Sequence, residues 1–143
     1  MEIFMQRLLS ATLAGILLTG CASPYDDLLK NEFIDVSATP VAPDYVGIWT
    51  GASGPFVMTL RIEPNGEGIG CTSSGTGDGR FLLRHRNGTI YFQSGGRVDL
   101  SREGDRLVAT YPRYGMAQAV VQMVADDDLK NATPHCKDAL AQK

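Results

Sequence analysis

The sequence predicts an all-β domain, an antiparallel meander of about eight strands forming a small barrel or sandwich, followed by a short C-terminal helix. Three observations carry this. Apolar and polar residues alternate with a period of two in several short runs. Turn-forming clusters such as Pro64-Asn65-Gly66, Asn87-Gly88, Gly95-Gly96 and Glu103-Gly104-Asp105 separate those runs at the roughly 8–12 residue spacing of hairpins. No helical periodicity interrupts the pattern until the last ten or so residues.

The β pattern begins at Tyr45. Phe56 to Glu63 places Phe56, Met58, Leu60 and Ile62 on one face and Thr59, Arg61 and Glu63 on the other. After the turn at Pro64–Gly68 come Ile69–Ser73 and a loop rich in Gly, Ser and Thr through Gly79. Phe81–Arg86 and Thr89–Ser94 flank Asn87-Gly88, which suits a type I′ turn because both positions need positive φ. Arg97–Arg102, Leu107–Tyr111 and Gln118–Val124 complete the series. Closing such a meander removes its exposed edges. Thr133-Pro134 reads as an N-cap with proline at the first helical position, so Cys136–Gln142 is expected to be a helix.

The N-terminus has a different grammar. Arg7 is followed by an 11-residue apolar run, Leu8 to Leu18. A membrane-spanning helix needs about 20, whereas a signal-peptide core has about 7–15. The run leads into Leu18-Thr19-Gly20-Cys21, which resembles the lipobox of bacterial lipoproteins. That resemblance implies a signal peptide over residues 1–20, a diacylglycerol on the Cys21 sulfur, and cleavage just before Cys21. Glu2 opposes the usual positive bias of such a leader, and Met5 offers a cleaner start. The bland alternative is an uncleaved apolar anchor. Ala22, where an aspartate resembles an inner-membrane retention signal, favours the outer membrane, with the domain facing the periplasm. Residues 21–44 are expected to be a lipidated tether, including Tyr25–Glu32 and an extended stretch, Asp35 to Asp44, that carries Pro40 and Pro43. Residues 45–143 form the β domain.

The 143-residue chain has a formal net charge of −3, and removing residues 1–20 leaves it unchanged because one charge of each sign is lost. No field of either sign points to nucleic acid. The basic residues between the acidic N-terminal stretch and Asp126-Asp127-Asp128 are all arginine: Arg61, Arg80, Arg84, Arg86, Arg97, Arg102, Arg106 and Arg113. They read either as a face for anionic envelope groups or, more simply, as solvent-facing strand positions paired with Glu63, Asp99, Glu103 and Asp105.

The three cysteines are Cys21, Cys71 and Cys136. With Cys21 acylated and the domain outside the cytoplasm, Cys71 and Cys136 are expected to pair. Two buried thiols and a metal site are the alternatives; His85 and His135 alone supply further soft ligands, without paired cysteine spacing. No metal or other cofactor is expected.

Enzymatic motifs are missing. There is no Gly-x-Ser-x-Gly elbow, and Gly70–Gly79 lacks the Lys-Ser/Thr ending of a phosphate loop. Asp126–Asp128 lacks the glycine and distal glutamate of a calcium loop and reads as the acidic start of a helix. His85, on the face of Phe81 and Leu83, reads as a half-buried histidine at a sheet edge, with a general base as the alternative. Gly47-Ile48-Trp49 resembles the Gly-x-Trp of lipocalins and other calycins, which implies a tryptophan plugging one end of a barrel; a plain core residue is the alternative. Ser94-Gly95-Gly96 resembles the inhibitory loop of small lipid-anchored lysozyme inhibitors. The expected role is non-catalytic: binding of an envelope protein or glycan, or a structural part. Inhibition of a cell-wall hydrolase such as lysozyme and carriage of a small apolar ligand are the alternatives.

Overall fold

The computed structural model describes residues 31–112 and 118–142. The leader, Cys21, the first part of the tether and Arg113 lie outside them.

Eight antiparallel strands close into a barrel in strict sequence order. They are β1 (Gly47–Ser53), β2 (Phe56–Ile62), β3 (Glu67–Ser74), β4 (Gly77–Arg86), β5 (Thr89–Phe92), β6 (Arg97–Glu103), β7 (Arg106–Thr110) and β8 (Val120–Ala125). Closure runs through Trp49↔Ala125, Thr50↔Val124 and Gly51↔Met123. A helix, α1 (Pro134–Ala141), packs outside, on β3 and β4.

The period of two explains the interior. Met58, Leu60 and Ile62 on β2, Leu83 on β4, Ile90 and Phe92 on β5, Val98 on β6, Leu107 and Ala109 on β7, and Val121 and Met123 on β8 form one buried cluster. Glycines facing inward make room for large neighbours. A Cβ at Gly70 would overlap the Phe81 ring, and one at Gly51 would meet the Gln122 carbonyl. Asn87 and Gly88 take positive φ, 51° and 82°, as the hairpin between β4 and β5 requires.

The glycine-rich stretch read as a loop is mostly strand. β3 and β4 pair from Glu67↔Arg84 to Ser74↔Gly77. The small residues lie in register with partners on the next strand, so tertiary pairing overrides their weak β propensity.

The outer faces of β1, β2 and β3 are covered as well. Thr59, read as lying on the polar face of its strand, is buried, and so is Thr50 on β1. The Asp126–Asp128 run is a turn, not a helix start. Asp126 is buried and accepts from Thr50 Oγ1 at 2.8 Å, from the Asn131 N–H at 3.1 Å and from Asn131 Nδ2 at 3.1 Å. Thr50 and Thr59 hydroxyls lie 3.0 Å apart. The buried carboxylate is held by neutral donors, which satisfies it where it cannot be hydrated.

Helix α1 starts at Thr133, whose side chain accepts from the Cys136 N–H, with Pro134 in the first turn. At its other end Arg61 Nη1 donates to the Leu140 carbonyl at 2.7 Å and Arg80 Nε to Ala139 at 3.3 Å, cations placed where the helix dipole is negative. A disulfide joins Cys71 on β3 to Cys136 on α1, among Ala132 and Ala139.

The stretch read as a linker over 35–44 lies on the barrel. Phe33, Val36 and Val41 are buried. Arg84 sits over the Phe33 ring at 4.3 Å and donates to the Phe33 and Val36 carbonyls at 2.9 and 3.1 Å. The Thr39 N–H donates to His85 O at 2.8 Å and the Val41 N–H to Pro64 O at 3.2 Å. Between two 3-10 turns, Glu32–Asp35 and Pro43–Tyr45, the arm runs without helix or strand of its own and offers backbone donors and acceptors that the barrel takes up.

Replacing Cys71 and Cys136 together by alanine is expected to cost about 4 kcal/mol in denaturant melts, on the chain-entropy account of a 65-residue separation. Wild type in reductant should approach the same value. Asp126→Ala leaves the buried Thr50–Thr59 hydroxyl pair one acceptor short and unties Asn131, and the same melts should show a loss of about 2 kcal/mol.

Candidate functional site

The two ends of the barrel differ. One end is shut. Trp49 is buried, its indole N–H donates to Tyr45 O at 3.0 Å, and Arg102 lies over its ring at 4.8 Å. Arg102 also donates to Asp44 O at 3.1 Å, and Val41, Tyr45 and Val46 pack beneath. The Gly-x-Trp pattern therefore marks an end plug.

His85 belongs to this shut end. Its Nδ1 lies 2.9 Å from Thr39 O, so it donates there, and its Nε2 accepts from the Gly88 N–H at 3.0 Å. Both ring nitrogens are occupied in fastening the arm and the hairpin. The histidine is half-buried as expected, but in a closed barrel it sits at an end, not at a sheet edge.

The other end is open. A cavity of about 360 Å³ is walled by Met58, Phe81, Phe92 and Tyr111, with Thr72, Gly79, Ser94 and Gly96 between them and Arg80 at its border. Phe81 and Phe92 meet edge to face, centroids 5.0 Å apart. Each wall residue comes from a different strand or its end, turned inward by the pleat. The small residues leave the space that the large ones would fill. The floor is the packed interior, since Phe81 and Tyr111 rest on the same apolar cluster. Burial pushes the Tyr111 phenol above its ordinary range.

Two further hollows lie outside the barrel, where the arm crosses β3 and β4. One of about 460 Å³ is bordered by Ile34, Val36, Ser37, Ala38, Asn65, Glu67 and Arg84; one of about 260 Å³ shares Glu67 and Arg84. Although the first is larger than the mouth, its arginine is already spent on the arm's carbonyls. The mouth combines apolar walls with a direct opening into the barrel, the arrangement of a small-molecule site.

Ser73, Asp78 and His135 come together at the surface, a constellation the sequence separates. Ser73 Oγ donates to Asp78, and His135 Nδ1 lies 3.9 Å from the other Asp78 oxygen. The carboxylate stands between the hydroxyl and the imidazole. A nucleophilic serine needs the imidazole next to it, so this order supplies no base to the hydroxyl. Among the described residues, no group of three or more His, Cys, Asp and Glu side chains is placed to hold a metal ion, and no helix is long and apolar enough to cross a membrane.

The arginines are mostly spoken for. Arg61 pairs with Glu63 at 3.2 Å and Arg97 with Glu32. Arg61, Arg80, Arg84 and Arg102 donate to backbone carbonyls, and Arg106 donates to Gln122 at 3.2 Å. The expected partner Glu63 is found. Asp99 instead accepts from Thr89 at 2.7 Å. A guanidinium offers five donors, and backbone carbonyls at the arm and helix ends use them where no carboxylate is in reach. At the acidic turn, a hydrogen bond from Lys130 holds the Asp128 carboxyl below its usual range. The Ser94-Gly95-Gly96 turn stands at the rim of the mouth.

Residues 30–140 match the family described as bacterial lipocalin LPS transport optimiser YedD. The lipoprotein YedD from Klebsiella pneumoniae subsp. pneumoniae MGH 78578 is similar in structure, with a TM-score of 0.52 and 20% identity over 77% of this chain and 92% of that one. A lipocalin lipoprotein affecting virulence in Streptococcus pneumoniae superposes with a TM-score of 0.46 and 14% identity over 60% of this chain and 97% of its own. No curated protein matches.

For Tyr111, a folded-state pKa raised by burial means that its contribution to stability is complete below the unfolded value of about 10 and is lost as pH rises through the folded value. Ultraviolet titration should show one tyrosine ionising after the others, and Tyr111→Phe should remove that step and flatten the alkaline fall in stability.

Proposed function

We propose that this chain, which belongs to the bacterial lipocalin family of YedD, is an envelope lipoprotein anchored by acyl chains on Cys21, and that the mouth of its barrel takes the apolar chain of a lipid. The observation that carries the second part is the open well of about 360 Å³ walled by Met58, Phe81, Phe92 and Tyr111. An apolar chain entering it displaces water from four large apolar side chains. Each buried methylene contributes about 0.8 kcal/mol. The packed floor limits entry to a few carbons, and association itself costs several kcal/mol, so the hold is shallow and exchangeable. That suits a protein that handles chains in passing, and it accords with the family's description as an optimiser of LPS transport.

The anchor rests on the lipobox Leu18-Thr19-Gly20-Cys21, and Ala22 supports residence at the outer membrane, facing the periplasm. One chain alone would hold marginally, whereas two or three give stable attachment. The role is binding and not catalysis. What supports that reading is the order of Ser73, Asp78 and His135 and the full engagement of His85. Lysozyme inhibition through the rim turn Ser94–Gly96 is the alternative, favoured by that turn's position at the mouth.

Native mass spectrometry of protein extracted from membranes tests both parts. The expected mass is that of residues 21–143 plus acyl groups, less two protons for the bridge, with a lipid adduct. Gly79→Leu, which sends a side chain into the mouth, should lower the adduct at least tenfold, about 1.4 kcal/mol, and leave the acyl mass unchanged. Acylated protein free of lipid that instead inhibits lysozyme would replace the carrier with the inhibitor.

A further inference from the structure

We infer that the mouth end of the barrel is the face that rests on the bilayer, with the shut end turned to the aqueous phase. The inference depends on the anchor at Cys21 proposed above. Three observations support it, of which only the first uses the position of Cys21.

The first is where the chain arrives. Asn31 Nδ2 donates to Gln93 O at 3.1 Å, and Asn31 Oδ1 caps the 3-10 turn Glu32–Asp35. Gln93 opens the β5–β6 turn, whose Ser94 and Gly96 line the mouth. From there the arm runs to Thr39, Val41 and Tyr45 at the shut end. The polypeptide thus joins the domain at the rim. Cys21 is ten residues earlier, a reach of at most about 35 Å, close to the ~30 Å diameter of a small domain. A leash of that length attached at the rim brings the rim to the surface more readily than the opposite end.

The second is the distribution of charge. The mouth-end turns are Ser53-Gly54-Pro55-Phe56, Ser74-Gly75-Thr76-Gly77 and Gln93-Ser94-Gly95-Gly96. They contain no ionisable side chain. The charges around them are engaged: Arg80, which borders the mouth, with the Ala139 carbonyl, Asp78 with Ser73, and Arg97 with Glu32. The fourth mouth-end connection, between β7 and β8, carries one charge, Arg113, and lies partly outside the described residues. At the shut end the connections carry Glu63 and Glu67, Arg86, Glu103, Asp105 and Arg106, and then Asp126 to Asp128. Desolvating these three turns at a headgroup layer costs hydroxyl and backbone hydration, and the charges beside them already have partners. Desolvating the shut end would strip several charges, which costs far more.

The third is the placement of exposed apolar groups. Phe56, 47% exposed, stands at a mouth-end turn, and Val120, 51% exposed, begins β8 at the same end of the barrel. Leu82 and Val124 lie within strands, and Ile34 lies on the arm, beside the outer hollow that Asn65 and Glu67 border; among the described residues none of the large exposed apolar side chains lies in a shut-end turn itself. An aromatic residue at the rim suits the membrane interface. In this orientation the well opens directly onto lipid, so a chain can enter without crossing water.

The test is depth-dependent fluorescence quenching. Acylated full-length protein carrying Phe56→Trp is incorporated into vesicles of phosphatidylethanolamine and phosphatidylglycerol with dibrominated acyl chains. Asp105→Trp reports the shut end, and the wild-type protein gives the background of buried Trp49. The expected result is that Phe56→Trp loses most of its added emission, whereas Asp105→Trp and wild type lose little. Quenching of Asp105→Trp equal to or greater than that of Phe56→Trp, or of neither, in acylated protein that floats with the vesicles, overturns the orientation and leaves the anchor standing. Protein whose intact mass lacks acyl groups and which does not float overturns the anchor, and the orientation with it.

Discussion

Closure between β1 and β8 is the constraint on which the rest depends. It rests on three residue pairs, and it requires Gly51, because any side chain there would meet the Gln122 carbonyl. Directly beyond, the Asp126 N–H donates to Ile48 O at 2.8 Å, and the Asp126 carboxylate takes the Thr50 hydroxyl. The seam is short, so the buried carboxylate acts as its clasp. Without closure the inward residues of eight strands would form one face of an open sheet, and there would be neither plug nor mouth.

A second layer then covers part of the outside. The sequence marks Thr59 and Arg61 as the polar face of β2, yet both lie under or against the C-terminal segment. The layer is held by a disulfide, by arginines on helix carbonyls, and by a turn built round Asp126. Little of this is apolar packing. A small barrel has limited core, and polar fastening of its outer elements lets the interior keep an open end.

Function follows from the asymmetry of the two ends. The shut end spends Trp49, Arg102, His85 and the arm on filling and fastening. The mouth spends its glycines and serines on leaving space. The same eight strands thus supply a rigid wall and a shallow apolar well, and the well's depth is set by how far up the barrel the packed side chains reach.

Strand positions, hairpin turns, the capped helix and the pairing of the two downstream cysteines were legible in the chain, because alternation, turn chemistry, capping and redox compartment act over a few residues or by simple count. The arm over 35–44 read as free linker because its prolines and small polar residues have no local signature of docking; its hydrogen bonds go to His85 and Pro64. The acidic run read as a helix start because the dipole argument is local, whereas Asp126 is held by Thr50, 76 residues away. The four walls of the mouth, Met58, Phe81, Phe92 and Tyr111, carried no signal beyond strand alternation. What the sequence by itself determined was an all-β chain with the alternation and turns of a meander, together with the resemblance of Leu18-Thr19-Gly20-Cys21 to a lipobox. Only the tertiary structure decided that the meander closes, which end is plugged and which residues face the open well, since these depend on the stagger of strands far apart in the chain, and no short-range pattern encodes it.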